Sequence, residues 1–496
     1  MSSKAGIRIC ATGLMLAIVA CSGNGENIVA ELTETPRAPQ PGSEGVGDPY
    51  YPRLGNGGYD AQHYDLDLHI DVDAKHLRGT VTIDAVATQD LSRFNLDFSQ
   101  YEIERIEVNG READFEQSRH ELTINNPKPI FENEAFVVTV QYKGNPSQHV
   151  RSNASLGFFE GLIFYQNGAF TFGEPSGASY WFPVNGHPSD KATYSIRVTV
   201  REPLEVASNG LLIETIDNGD TRTFVWEPRD PMASYLVMIG IGDFDVVVEE
   251  GPHGLPIRNY FQREIPQSRR DEFTDQAEMI RYFETVFGSY PFEAYGSLVT
   301  GADGNFGLET QTLSIFSATF TISPSVTMDV VAHELAHQWF GNSISLTSWN
   351  DIWLNEGFAT YAEVLWMEHT EGKTAADKLL LEYYSGTALS NYWDTPPGDP
   401  GKYQMFGNQV YERGALTLHV LRLRVGDERF FEILRTYHER FKNDNAATAD
   451  FIRLVEEISG EDLEDLFDIW LYEHPVPDIP EMGLYRADFA PPGDSK

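Results

Sequence analysis

The stretch that decides the reading is Met328-Asp329-Val330-Val331-Ala332-His333-Glu334-Leu335-Ala336-His337-Gln338-Trp339-Phe340, with Glu356 of Trp353-Leu354-Asn355-Glu356-Gly357 eighteen intervening residues beyond His337. Val331, Leu335 and Trp339 recur at four-residue spacing and Gly341-Asn342 is a usual stop, so the pattern predicts a helix over 328–340. On that helix the two histidines stand at i and i+4, project from one face and can reach one metal about 2 Å away. Two imidazoles and one carboxylate fill three corners of a tetrahedron and leave the fourth for water, as a catalytic rather than a structural zinc requires. His333, His337 and Glu356 are therefore the expected ligands of one Zn2+. Glu334 points to a different side of the helix and is expected to take a proton from the zinc-activated water as it attacks a carbonyl, then to return it to the leaving amine.

The plainer reading is an amphipathic helix with merely polar histidines. With 13 histidines in 496 residues, chance would produce the five-residue pattern only a few times in about a hundred such chains. A glutamate at the right distance, inside an Asn-Glu-Gly-Phe-Ala helix start, favours the zinc site. A second helix is predicted from Asn355 to about Glu371, with Phe358, Tyr361, Ala362, Leu365 and Trp366 on helical spacing as core that packs across the first.

These motifs resemble the aminopeptidase N family of zinc peptidases, the gluzincin aminopeptidases, over about residues 55–475. His333 to Asn342 and Trp353 to Tyr361 are near-standard for it. Tyr59-Asp60-Ala61-Gln62-His63-Tyr64-Asp65-Leu66 is similar to the family's first strand, and Glu174-Pro175 with Trp181-Phe182-Pro183-Val184-Asn185 resembles its motif preceding the second half of the N-terminal domain. The resemblance implies a thermolysin-like catalytic domain and assigns three further roles. Tyr411, in Val410-Tyr411-Glu412-Arg413-Gly414-Ala415, would steady the oxyanion; Glu309 matches the exopeptidase motif Gly-x-Met-Glu-Asn; Glu174 would help hold the substrate's free amino group. Gly307 and Leu308 of that motif would run beside the substrate backbone. The motif reads Phe306-Gly307-Leu308-Glu309-Thr310 here, with Phe where Gly is usual, Leu for Met and Thr for Asn, so altered residue preference or reduced rate is expected.

The expected fold is multidomain α+β: a β-rich, sandwich- or saddle-like domain over 56–247, a mainly helical catalytic domain over 248–475 and a tail over 476–496. Alternation in His63 to Ile70 and in Ala135 to Val140 marks the first; helical patterns at Asp271 to Phe287, Val410 to Val425 and Ala449 to Ser459 mark the second. The large helical C-terminal domain of many relatives has no counterpart after Trp470-Leu471-Tyr472, which leads us to expect a more open cleft.

Lys4 and Arg8 precede an apolar run from Ile9 to Ala20, too short for a membrane span, so residues 1–20 read as a signal peptide. Ile18-Val19-Ala20-Cys21 resembles a bacterial lipobox, in which Cys21 becomes the lipidated first residue and anchors the protein to a membrane. Residues 22–55 read as a disordered tether, which places the enzyme outside the cytoplasm on the cell envelope. Cys10 would leave with the signal, so no disulfide is expected. A net charge of −39 excludes nucleic acid as a partner and fits a heavily solvated surface.

The expected function is zinc-dependent release of N-terminal amino acids from peptides with a free N-terminus. Two alternatives stay open: the same site used as an endopeptidase or epoxide hydrolase, and a catalytically silent peptide-binding lipoprotein. Oligomeric state has no signature in the sequence.

Overall fold

Tyr59–Asp71, the first long strand, buries Tyr59 and Ala61 and then Tyr64, Leu66, Leu68 and Ile70. The change of parity coincides with a bulge between Ala61 and His63, where the pairing to His76–Ala87 slips. One extra residue there keeps the apolar side chains at both ends on one face. The structure, a computed structural model, describes residues 38–153, 158–304, 306–319, 324–389 and 395–489.

This strand lies in an eight-stranded sheet of order Leu211–Asp217, Thr221–Glu227, Thr193–Arg201, Tyr59–Asp71, His76–Ala87, Ala135–Gly144, Glu102–Val108 and Arg111–Glu112. A four-stranded sheet containing Leu91–Asp97 and Glu121–Ile130 packs on it, and Phe94 meets Tyr59 and Phe136 across the gap. A five-stranded sheet includes Gly168–Phe172, every residue of which is buried. That strand leads directly to Glu174.

A further five-stranded sheet, Phe244–Glu250, Pro256–Gln262, Tyr295–Thr300, Ser314–Ser317 and Gly307–Leu308, opens the catalytic half. The helical reading past 248 did not anticipate it. Its first strand pairs with Pro256–Gln262 along its whole length, so the expected boundary at 247/248 falls inside a strand. Helices follow at Gln276–Phe287, Pro324–Ala336, Trp353–Glu371, Lys373–Leu389, Gly414–Val425, Asp427–Phe441, Thr448–Ser459 and Glu464–Leu471. From Pro39 onward the chain clusters as one unit with a continuous core. No helix among the described residues is long and apolar enough to cross a membrane.

Two expected segments differ. Residues 38–55, assigned to the tether, are folded: Gln40–Pro41 pairs with Leu91–Asp97, and the buried Asp48 carboxylate accepts from the N–H groups of Tyr50, Tyr51 and Trp349 at 2.7–2.8 Å. Gly, Pro and Ser composition hides these anchors because Leu91–Asp97 and Trp349 are distant in sequence. The tail also packs, with Val476 and Ile479 buried and Phe489 5.6 Å from the Tyr384 ring. The signal segment and Cys21 lie outside the described residues.

Candidate active site

The regular part of the first site helix is Pro324–Ala336, shorter at its end than 328–340. His337 N–H still donates to His333 O at 3.2 Å, so the i, i+4 relation survives, and the turn then tightens as Gln338 N and Trp339 N bond three residues back. Gly341, at φ 121°, reverses the chain. Val331, Leu335 and Trp339 are fully buried and anchor the other face. The second site helix, Trp353–Glu371, crosses close to Gly414–Val425 because Gly357 and Gly414 meet: a Cβ on Gly357 would stand 2.9 Å from Gly414 Cα.

His333 Nε2 lies 3.3 Å and His337 Nε2 3.4 Å from the same oxygen of Glu356, and one donor atom from each of the three residues falls within 4.8 Å of the others. Both rings are oriented from behind. His333 Nδ1 is 2.7 Å from Glu363 Oε1, while His337 Nδ1 donates to Phe340 O at 3.0 Å. Each Nε2 therefore faces the common centre, and this donor set fits one zinc ion. Burial alone would lower the His333 pKa, but Glu356 and Glu363 raise it well above the ordinary range. A cation bound at this point would meet the negative charge of both carboxylates.

Glu174, Gly307, Leu308, Glu309, Glu334 and Tyr411 line one cavity of about 280 Å³ with the two histidines and Glu356. Glu174 Oε1, Glu309 Oε1 and Glu334 Oε2 are buried and have no hydrogen-bond partner among the described residues. Burial pushes up the pKa of all three, helped for Glu174 by the charges of Glu309 and Glu356. Unpaired buried carboxylates are costly, by several kcal/mol each, unless a cationic or donor ligand meets them. Tyr411 lies in the wide turn Gln409–Arg413, its ring 5.8 Å from that of His333 and within 16° of parallel. Its phenol pKa is raised well above 10, first by burial and then by the surrounding carboxylates, so it is a neutral donor. Arg413 of the same turn is fully buried and donates to Trp470 O, Ile469 O and Glu473 O at 2.7–3.0 Å.

Three residues that the sequence reading did not single out support the site. Glu363 orients His333 and accepts from Tyr383 Oη at 2.8 Å. Gln338 Nε2 and Asn342 Nδ2 donate to Glu309 O at 3.0 and 2.6 Å, tying the first helix and its turn to the residue that follows the Gly307–Leu308 strand. Glu363 falls seven residues, about two helical turns, beyond Glu356 on the same face, a signal that spacing alone could have raised. Phe306, where a glycine was expected, is not in the left-handed region and is buried.

The sequence matches two family models: the Peptidase M1 N-terminal domain over residues 60–236 and the Peptidase family M1 domain over residues 272–470. Glutamyl aminopeptidase of Sus scrofa is 27% identical over 461 residues, 85% of this chain and 48% of the relative. Glutamyl aminopeptidase of Homo sapiens is 30% identical over 67% of this chain and 37% of its own length, so the chain spans about half or less of these curated relatives. Among solved structures, an M1 zinc metallopeptidase from Deinococcus radiodurans superposes with a TM-score of 0.80 at 30% identity, covering 88% of this chain and 98% of the other. A mutant M1 zinc metallopeptidase from that organism, bound to a Tyr-Ser-Ala substrate, matches equally well at TM-score 0.80 and 30% identity, over 88% of this chain and 100% of the other. Near-complete coverage of a solved zinc metallopeptidase, with the N-terminal model ahead of the catalytic one along the sequence, shows that this chain belongs to peptidase family M1.

Proposed function

We propose that the protein is a zinc aminopeptidase that removes the first residue of peptides with a free N-terminus. The observation that carries the reading is the pair of buried, partnerless oxygens of Glu174 and Glu309 in the wall of the cavity that holds the His-His-Glu group. An α-ammonium meets both, and a chain that continues as a neutral amide leaves them unpaired. His333, His337 and Glu356 would hold the metal, which when bound would supply polarisation of a carbonyl and a more acidic neighbouring water. Glu334 then accepts that water's proton on its free oxygen as the new C–O bond forms, and delivers it to the amine nitrogen as the C–N bond breaks. Tyr411 donates its phenol hydrogen to the oxyanion, and Gly307 and Leu308 flank the substrate backbone. From its sequence alone, Cys21 would carry a lipid that anchors the enzyme outside the cytoplasm; loss of membrane association in Cys21→Ala is the test.

Hydrolysis of aminoacyl-nitroanilides and their N-acetylated counterparts, with and without a chelator, tests the activity. Chelator-sensitive cleavage of only the free amines, weakened in Glu309→Ala, supports it. Equal cleavage of the acetylated set would mean an endopeptidase, and no cleavage by zinc-loaded protein would leave a binding role.

A further inference from the structure

The cavity has walls of two kinds. One is apolar, made of Phe172, Phe306, Leu308, Val330 and Phe406. Phe172 precedes Glu174 by two residues and Phe306 precedes Glu309 by three, so each amine-facing carboxylate has an aromatic ring beside it in the chain. The rings are held: Phe306 stacks on Phe170 at 5.4 Å and 14°, and meets Phe172 edge-on at 5.7 Å and 80°. At 6% exposed, Phe306 is a fixed wall rather than a loose surface ring.

The other wall is anionic, and its carboxylates have separate tasks. Glu356 faces the two histidines, Glu363 serves His333 and Tyr383, Glu334 handles the proton, and Glu174 with Glu309 faces the ammonium. Among the described residues no Lys or Arg lines the cavity, and the internal stretches outside the description, 154–157, 305, 320–323 and 390–394, contain none. Relatives named glutamyl aminopeptidase are among the matches. Recognition of an acidic side chain needs a cation or several donors at the side-chain position.

On the aminopeptidase reading, we propose that the site selects peptides whose first side chain is large and apolar, aromatic above all, packed on Phe306 and Phe172, and that it rejects Asp and Glu. An acidic side chain there loses its hydration, finds no counter-charge and faces carboxylates of its own sign. An aromatic side chain buries its area against rings already fixed in place.

The test uses the full, zinc-loaded chain with Phe-, Leu-, Ala-, Arg- and Glu-nitroanilides and their acetylated forms, for wild type, Phe306→Ala and Phe406→Ala. We expect kcat/KM for Phe to exceed that for Glu by about a hundredfold or more. In Phe306→Ala the Phe-over-Ala ratio should shrink roughly tenfold. Phe406 is half-buried and serves as the second variant should Phe306→Ala not fold; its ratio should shrink in the same direction. Competitive inhibition by free L-phenylalanine but not L-glutamate is the matching binding readout. A Glu substrate within threefold of Phe, an Arg substrate tenfold faster than Phe, or a Phe-over-Ala ratio unmoved in both variants overturns the proposal. A flat side-chain ranking with strict need for a free amine sinks this inference alone. Cleavage of acetylated substrates, or of none, brings down the aminopeptidase reading and this one with it.

Discussion

His333 owes its orientation to Glu363, whose second oxygen is held by the Tyr383 hydroxyl. Replacing Glu363 with Ala should weaken metal affinity by about 10- to 100-fold, read by competition with a chelator; an unchanged metal Kd would show that the contact does not position the ring. Glu334 is different, because in the proposed mechanism it would handle the water's proton rather than hold the metal. Glu334→Gln should keep metal content while lowering kcat by about 10²- to 10⁴-fold, and loss of metal together with rate would contradict that division. Asn342 acts through Glu309, whose carbonyl it holds with Gln338. Loss of one such hydrogen bond should raise KM for free-amine substrates by about three- to tenfold in Asn342→Ala, with kcat changed less.

At the scale of elements, the active-site geometry depends on how closely two helices pass. Gly357, next to Glu356, and Gly414, three residues after Tyr411, bring the backbone that carries Glu356 against the backbone that carries Tyr411. Either side chain would push those elements apart. Gly357→Ala should destabilise the fold by about 1–3 kcal/mol, seen as a lower Tm, and should also reduce turnover. A variant with wild-type Tm and activity would mean the helices can yield at no cost. The π-type turn Gln409–Arg413 adds a second constraint, since the buried Arg413 guanidinium fixes it to the end of the Glu464–Leu471 helix.

Across the whole molecule, the segment around Asp48 ties the chain's beginning to the entry of the second site helix. Burial alone would raise the Asp48 pKa, but His187 and the N–H groups of Trp349, Tyr51 and Tyr50 outweigh it and hold the carboxyl far below its usual range. A depressed carboxyl contributes stability in full above its unfolded pKa, about 4, and loses that contribution as pH falls through the folded value. Wild-type urea midpoints should therefore drop more steeply below about pH 4 than those of Asp48→Asn. The variant should already be weaker at neutral pH by about 2 kcal/mol. Parallel acid limbs in the two proteins would remove Asp48 from the acid response.

What the chain's linear order determined is the chemistry. Helical spacing puts His333 and His337 on one face, and a glutamate in a second helix completes the donor set, because i, i+4 geometry is local and needs no tertiary information. Period-two alternation likewise marked the β-rich half. Tertiary structure decided the rest. Glu174 stands 159 residues before His333, and only the packing of Gly168–Phe172 against the catalytic half brings it beside Glu309. The catalytic sheet escaped notice because four of its five strands are short and largely buried, a pattern that periodicity does not distinguish from buried helix. The fold of residues 38–55 was equally hidden, since polar and Gly-rich stretches gain order only from partners such as Trp349 that lie some 300 residues away. Local spacing is written in the chain, whereas convergence on one cavity is a property of long-range burial.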